Sequence, residues 1–392
     1  MRRLILDKTE LVVEELERIG VDKNAYSLFV NKTKTFAVKF EGLSCAQANI
    51  LKQTALICGA DVAIPKIAYR GSKKRRIAVI LFANIREIEK IEKRLIEQPW
   101  MDSLRKQLYS LLETKPAPTL KIGRKQIAFN RTYIMGVINI TPDSFYSGSR
   151  YTTRSMVEKV ATAMEQEGAD FIDIGAESTR PGAESLETKE EIKRLKKILP
   201  GVVRSIDIPL SVDTYKADVA EFAIECGASI INDISGLSFD KRMPKIIAKN
   251  RIGVVLMHIK GTPKTMQVQP EYDDLMAEIH HHFKQKIDFA VESGIKQNRI
   301  IIDPGLGFGK RLEDNYEIMR RLQELTIFDR PIMVGHSRKS FIGKPFNLDP
   351  EERLEGTLGV EALLIKNGAS ILRVHDVHEA KKVAVLIDKI ER

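Results

Sequence analysis

Polar and ionisable side chains recur at one kind of place in this 392-residue sequence, the point where a short apolar run ends. In chain order they are Asn139 and Asp143, then Glu177, Thr179 and Arg180, then Asp213, Asn232, His258 and Asp303, then Ser337 to Ser340, and finally Arg373, His375 and Asp376. These are the groups that recognise a polar, partly anionic small molecule. Carboxylate and amide oxygens accept N–H bonds, while lysine and arginine donate them and offset negative charge. In GHSRKS (Gly335 to Ser340) two adjacent cations and several hydroxyls fall where a strand gives way to a helix, and exposed amides at such a turn favour an anion. Taken singly, Asp213 could cap a helix, Asn232 could satisfy a loop amide and His375 could be a buried structural histidine. Their recurrence after every apolar run argues instead for a ring around one ligand.

Other motifs carry less. DPGLGFGK (Asp303 to Lys310) and ESTRPGA (Glu177 to Ala183) are glycine-rich, but GLGFG has neither the Rossmann spacing nor the GK[ST] ending of a phosphate loop. His280, His281 and His282 fall in a helix-length stretch where neighbours one and two apart do not share a face, so a solvated face is expected. Cys45, Cys58 and Cys226 lack metal-ligand spacing and read as small core residues in a reducing compartment.

A ring of this kind needs a scaffold that brings strand ends together. Eight apolar runs, IMGVINI, FIDIGA, PLSVDT, IINDI, GVVLMH, IIIDPG, PIMVGH and ILRVHD, alternate with helix-length stretches. Unbroken hydrophobicity marks strands buried on both faces, and eight such units in about 260 residues fit a closed (β/α)8 TIM barrel better than an open sheet. IGRKQIAFN, just upstream, is expected to form a hairpin across the barrel floor. A break at KPAPTLKIG separates this region, residues 120–392, from residues 1–115, where TFAVKFE and RIAVILFA read as strands and SCAQANILKQTALICGA and IREIEKIEKRLIEQ as helices. The first part is therefore an additional α+β domain, accessory and of unassigned role.

With 43% hydrophobic and 30% charged residues the composition is that of a globular protein. The net charge of +10 is uneven: residues 1–130 hold 25 Lys and Arg against 14 Asp and Glu, leaving 38 against 39 for the remainder. The basic GSKKRR segment reads as a solvated loop, and nucleic acid is not an expected partner. The N-terminus lacks the form of a secretory signal and no apolar run approaches membrane length, so a cytoplasmic location is expected.

The segments MGVINITPDSF, ESTRPGA, SVDTYKADVAEFAIECGASIINDISG, LMHIKGTPKTMQ, DPGLGFGK, GHSRKSFIG and RVHDV together resemble the dihydropteroate synthases of folate biosynthesis, in that family's order. The resemblance implies a transferase that condenses 6-hydroxymethyl-7,8-dihydropterin diphosphate with 4-aminobenzoate, with Mg²⁺ assistance, to give 7,8-dihydropteroate and pyrophosphate. It places Asp213, Asn232, Asp303 and Lys339 around the pterin, and Asn139, Arg373 and His375 on the diphosphate, with Asn139 also at Mg²⁺. Phe308, Lys339 and Ser340 would contact the aminobenzoate, under loops carrying Asp143, Thr179, Arg180 and Pro181. Lys339, Arg373 and His375 would be the catalytic set. The expected transition state is dissociative, which removes any need for a protein nucleophile. Departures from the family pattern are Ala176, His336 and the SFYSGSRY stretch, none of which removes a ligand-binding side chain. The nearest alternative, a pterin-dependent methyltransferase, would need no diphosphate site, and GHSRKS with Arg373 and His375 argues against it. The expected partners are the two small-molecule substrates, without a membrane, and a homodimer is carried forward as the expected assembly.

Overall fold

The computed structural model describes the whole chain except residues 1, 3, 7, 72–74, 114–116, 124, 141–152, 179–184 and 392. It divides into two compact units, Met1–Lys115 and Pro116–Arg392.

In the first unit β1 (Thr35–Ser44), β2 (Asp61–Ala63) and β3 (Arg76–Asn84) form an antiparallel sheet with β3 in the middle. Along β3 buried and exposed residues alternate, so Ile77, Val79, Leu81 and Ala83 form one face of the unit's core with the helices Cys45–Cys58 and Ile85–Leu95. Each of those helices starts with a reciprocal capping box, Ser44 with Gln47 and Asn84 with Glu87, which fixes where strand ends and helix begins.

In the second unit β4 (Thr119–Ile122) and β5 (Lys125–Ala128) make the hairpin. Eight parallel strands follow: β6 (Tyr133–Asn139), β7 (Phe171–Gly175), β8 (Leu210–Asp213), β9 (Ile230–Asp233), β10 (Gly253–Met257), β11 (Ile300–Asp303), β12 (Met333–Gly335) and β13 (Ile371–Val374). Their order is β11-β10-β9-β8-β7-β6-β13-β12, and a parallel bridge from Ile302 to Ile332 joins the two ends. The sheet is thus the closed barrel expected from the sequence, with helices between successive strands.

Two apolar layers result from strand parity. Ile134, Ile172, Val212, Ile231, Val254, Ile302, Val334 and Leu372 face the surrounding helices in one large core. Met135, Phe171, Ile230, Val255, Ile301, Met333 and Ile371 instead fill the lower barrel, packed with Leu120, Ile122 and Phe129. The hairpin therefore seals the floor, and Arg299 ties it down by donating to the carbonyl of Lys121 at 2.9 Å. Further up β6, β7, β8, β9, β11 and β13, the same inward parity turns polar.

Candidate active site

Inward parity places Asn139 at the top of β6, Asp173 in β7, Ser211 and Asp213 in β8, Asn232 in β9, Asp303 in β11 and Arg373 in β13. Asn139, Asp213, Asn232, Asp303 and Arg373 line a cavity of about 550 Å³ at the C-terminal ends of the strands, and Asp173 and Ser211 are fully buried in the barrel. Every described member of the expected site lines it: Asn139, Asp213, Asn232, Asp303, Phe308, Lys339, Ser340, Arg373 and His375. Asp143, Thr179 and Arg180 lie outside the described residues. Val137, Ile234 and Met257 supply apolar wall between the polar groups, as a flat heterocycle requires.

Arg373 organises the floor of the cavity. Its Nε donates to Asp173 Oδ2 at 2.7 Å and its Nη2 to Asp213 Oδ2 at 3.0 Å, while Asn232 Nδ2 also donates to Asp173 Oδ2 at 3.2 Å. Burial raises Asp213 to about 7 against the opposing pull of Arg373, with the nearby Asp173 charge adding to the rise. Asn232 Oδ1 is a buried acceptor without a protein donor on the cavity wall, which suits it to a ligand's N–H group, and Asp173 Oδ1 behind it is likewise unbonded. Asp303 accepts the N–H of Gly305 at 2.7 Å through Oδ1, and burial raises its carboxyl above the usual range.

The cationic side is built by Lys339 and His375. Burial lowers Lys339 to about 8, offset in part by Asp303; its Nζ donates to the carbonyl of Leu306 at 2.5 Å and lies 4.7 Å from the Phe308 ring centre. His375 is lowered to about 4, first by burial and then by Arg373, so the imidazole is neutral at pH 7. Ser337 Oγ receives the backbone N–H of His375 at 3.3 Å and sits 3.0 Å from its Nδ1. With the hydroxyl hydrogen given to Nδ1, the ring's own hydrogen is on Nε2.

Several members of the sequence ring do other work. Arg338 pairs with Asp376 at 2.7 and 2.8 Å and donates to the carbonyls of Pro350 and Glu351, so of the two adjacent cations only Lys339 bonds to a cavity loop. The helix after that turn is a single turn, Ser340–Gly343, too short for its dipole to hold an anion. Glu177 borders the cavity but is engaged by Lys216 at 2.5 Å, Tyr215 at 2.8 Å and the Leu186 N–H at 3.1 Å. His258 is buried beside Lys310, and His282 packs edge-on against it at 4.8 Å, so this member of the histidine triplet departs from the expected solvated face. Asp173 was not among the sequence candidates; its signal was a carboxylate inside FIDIGA at the parity that faces the barrel axis.

Residues 135–375 match the family model described as pterin binding enzyme. The dihydropteroate synthase of a Synechocystis strain is 41% identical over 277 residues, 70% of this chain and 96% of that protein. A Helicobacter pylori protein named bifunctional dihydropteroate synthase/dihydropteroate reductase is 34% identical over 369 residues, 93% of this chain and 92% of its own length. A crystal structure of the Yersinia pestis dihydropteroate synthase with a sulfonamide drug complex superposes with a TM-score of 0.67 at 38% identity, covering 69% of this chain and 98% of that one. A closed barrel with its polar groups at the strand ends and matches spanning nearly the full length of these relatives lead to one conclusion: the chain belongs to the dihydropteroate synthases of the pterin binding enzyme family.

Proposed function

We propose that the strand-end cavity divides the synthase reaction among the residues that line it. The observation that carries this reading is the convergence of the acceptors Asp213, Asn232 and Asp303 with the cations Lys339 and Arg373 in a single cavity. A pterin's aminopyrimidinone edge offers several N–H donors, matched by Asp213, Asn232 and Asp303, and a carbonyl that Lys339 can donate to. Arg373 and His375 hold the diphosphate, while Phe308, Lys339 and Ser340 form the aminobenzoate side.

In the reaction the carbon–oxygen bond to diphosphate breaks ahead of bond formation, positive charge builds on the exocyclic methylene carbon, and the amine lone pair of 4-aminobenzoate forms the new bond to that carbon. Pyrophosphate leaves with the electron pair and the amine loses a proton. Charge builds on fixed partners, so positioning and electrostatic stabilisation carry the rate. Among the described residues no cluster of three or more His, Cys, Asp or Glu could hold a metal alone. The amide oxygen of Asn139, beside Gly175, suits a hard cation, so Asn139 would hold Mg²⁺, which would neutralise leaving-group charge. Asp143, Thr179 and Arg180 complete the substrate-binding set in this reading.

The test is dihydropteroate formation by purified protein, inhibited by a sulfonamide in competition with 4-aminobenzoate. Competition with the pterin substrate instead would place the aminobenzoate subsite elsewhere. No helix among the described residues is long and apolar enough to cross a membrane. For the assembly we propose a homodimer, supported by Leu363, Val385 and Leu386, which are exposed at 42%, 46% and 59% on the neighbouring helices Leu354–Lys366 and Val377–Glu391. Sedimentation velocity tests it.

A second reading concerns the first unit. The Helicobacter pylori match, at 369 residues, extends into it, whereas the Synechocystis match stops at 277. Reduction of dihydropteroate is therefore the activity to seek there, by comparing full-length protein with a chain starting at Pro116 in the presence of a reduced nicotinamide or flavin donor.

A further inference from the structure

Lys310 ends the glycine-rich connection after β11 and is 3% exposed in the cavity wall. Its Nζ has three polar groups within hydrogen-bond reach, His258 Nδ1 at 2.9 Å and the carbonyls of His258 and Phe308, each at 3.0 Å, to which it donates, and burial holds its pKa well below that of an ordinary lysine. His258 is the first residue past β10, so this one side chain ties the end of β10 to the turn that presents Phe308. The turn is held from several other sides. Asn315 accepts the N–H of Gly307 at 2.6 Å, Gln267 donates to the Gly307 carbonyl at 2.8 Å, Tyr272 donates to the Gly309 carbonyl at 2.6 Å, and Lys339 holds Leu306. Gly305 and Gly309 have positive φ, and a Cβ on either would collide with the carbonyls of His258 or Lys260, so the turn presses directly onto the connection after β10.

We propose that Lys310 is a positioning residue for 4-aminobenzoate. By fixing the Phe308 carbonyl it sets where the Phe308 ring stands against Lys339, and with it the width of the slot in which the aromatic substrate lies. A residue needed only for stability would incur less desolvation as methionine or leucine; hydrogen bonds to the carbonyls of both His258 and Phe308 indicate that orientation is what the side chain supplies. This inference rests on the aminobenzoate placement proposed above.

Steady-state kinetics of full-length Lys310→Met, Phe308→Ala and the double variant separate the two. Lys310→Met should raise KM for 4-aminobenzoate, and the inhibition constant of a sulfonamide, by about tenfold, while pterin diphosphate affinity by calorimetry stays within about twofold. In the Phe308→Ala background the same substitution should change KM by less than about twofold, because its effect passes through that ring. An unaltered KM in Phe308→Ala sinks the subsite placement. If Phe308→Ala raises KM but Lys310→Met does not, or if the two effects simply multiply, the positioning role is overturned. Should Lys310→Met not fold, Lys310→Gln carries the same cycle and outcomes.

Discussion

Arg373 and Asp173 stand 200 positions apart in the chain and meet at 2.7 Å inside the barrel. Asp173 is fully buried, and a carboxylate there is tolerable only with a charged, hydrogen-bonded partner. Removing that partner by Arg373→Met should destabilise the barrel by about 3–5 kcal/mol, read from urea unfolding. Asp173→Asn keeps the shape and should remain folded, but lower kcat/KM at least about tenfold, roughly 1.4 kcal/mol of transition-state stabilisation. A stable Arg373→Met would mean the guanidinium is not what makes the buried carboxylate tolerable.

Lys339→Ala and Asp213→Asn act at strand ends rather than in the apolar core, so each should leave the melting transition cooperative. Each should also reduce kcat/KM by about tenfold or more, a demand of about 1.4 kcal/mol on a charged hydrogen bond. Near-normal turnover in either variant would remove that residue from the site.

Asp213 also predicts a pH effect. Its folded pKa of about 7 exceeds the ordinary 3.8, so its contribution to stability is fully present below pH 3.8 and is lost as pH rises toward about 7. Asp213→Asn, which has no proton to lose, should gain in melting temperature relative to wild type across that interval. Above about pH 7.5 the difference should level off. A constant difference from pH 4 to 8 contradicts the raised pKa.

The chain starting at Pro116 holds all eight strands and every described cavity residue. It should form dihydropteroate at a rate per folded molecule within about twofold of full length, even if less of it is soluble. Binding of pterin diphosphate without product would show that the first unit completes the active site.

Much of this was legible because strands buried on both faces read as unbroken apolar runs, and their polar ends stand out. The floor hairpin was legible from its place, a short strand-like segment just upstream of the first apolar run. Asp173 was not, since a carboxylate within such a run means nothing until the barrel fixes which parity faces its axis. Nor could Arg338 be told from Lys339: adjacent cations point opposite ways, and only tertiary contact with Asp376 shows which one is consumed by structure. Glu177 was seen at its strand end, but its capture by Lys216 depends on a long-range contact that sequence order conceals.

The hairpin that seals the barrel also sets the traffic through it. With Leu120, Ile122 and Phe129 packed beneath the strands, the cavity has its mouth at the opposite end, and both substrates and both products must use that mouth. On the subsite placement proposed above, the pterin would enter before 4-aminobenzoate occupies the side beside Phe308. Addition would then be ordered, and excess aminobenzoate should act as a doorstop, slowing turnover by blocking the way in.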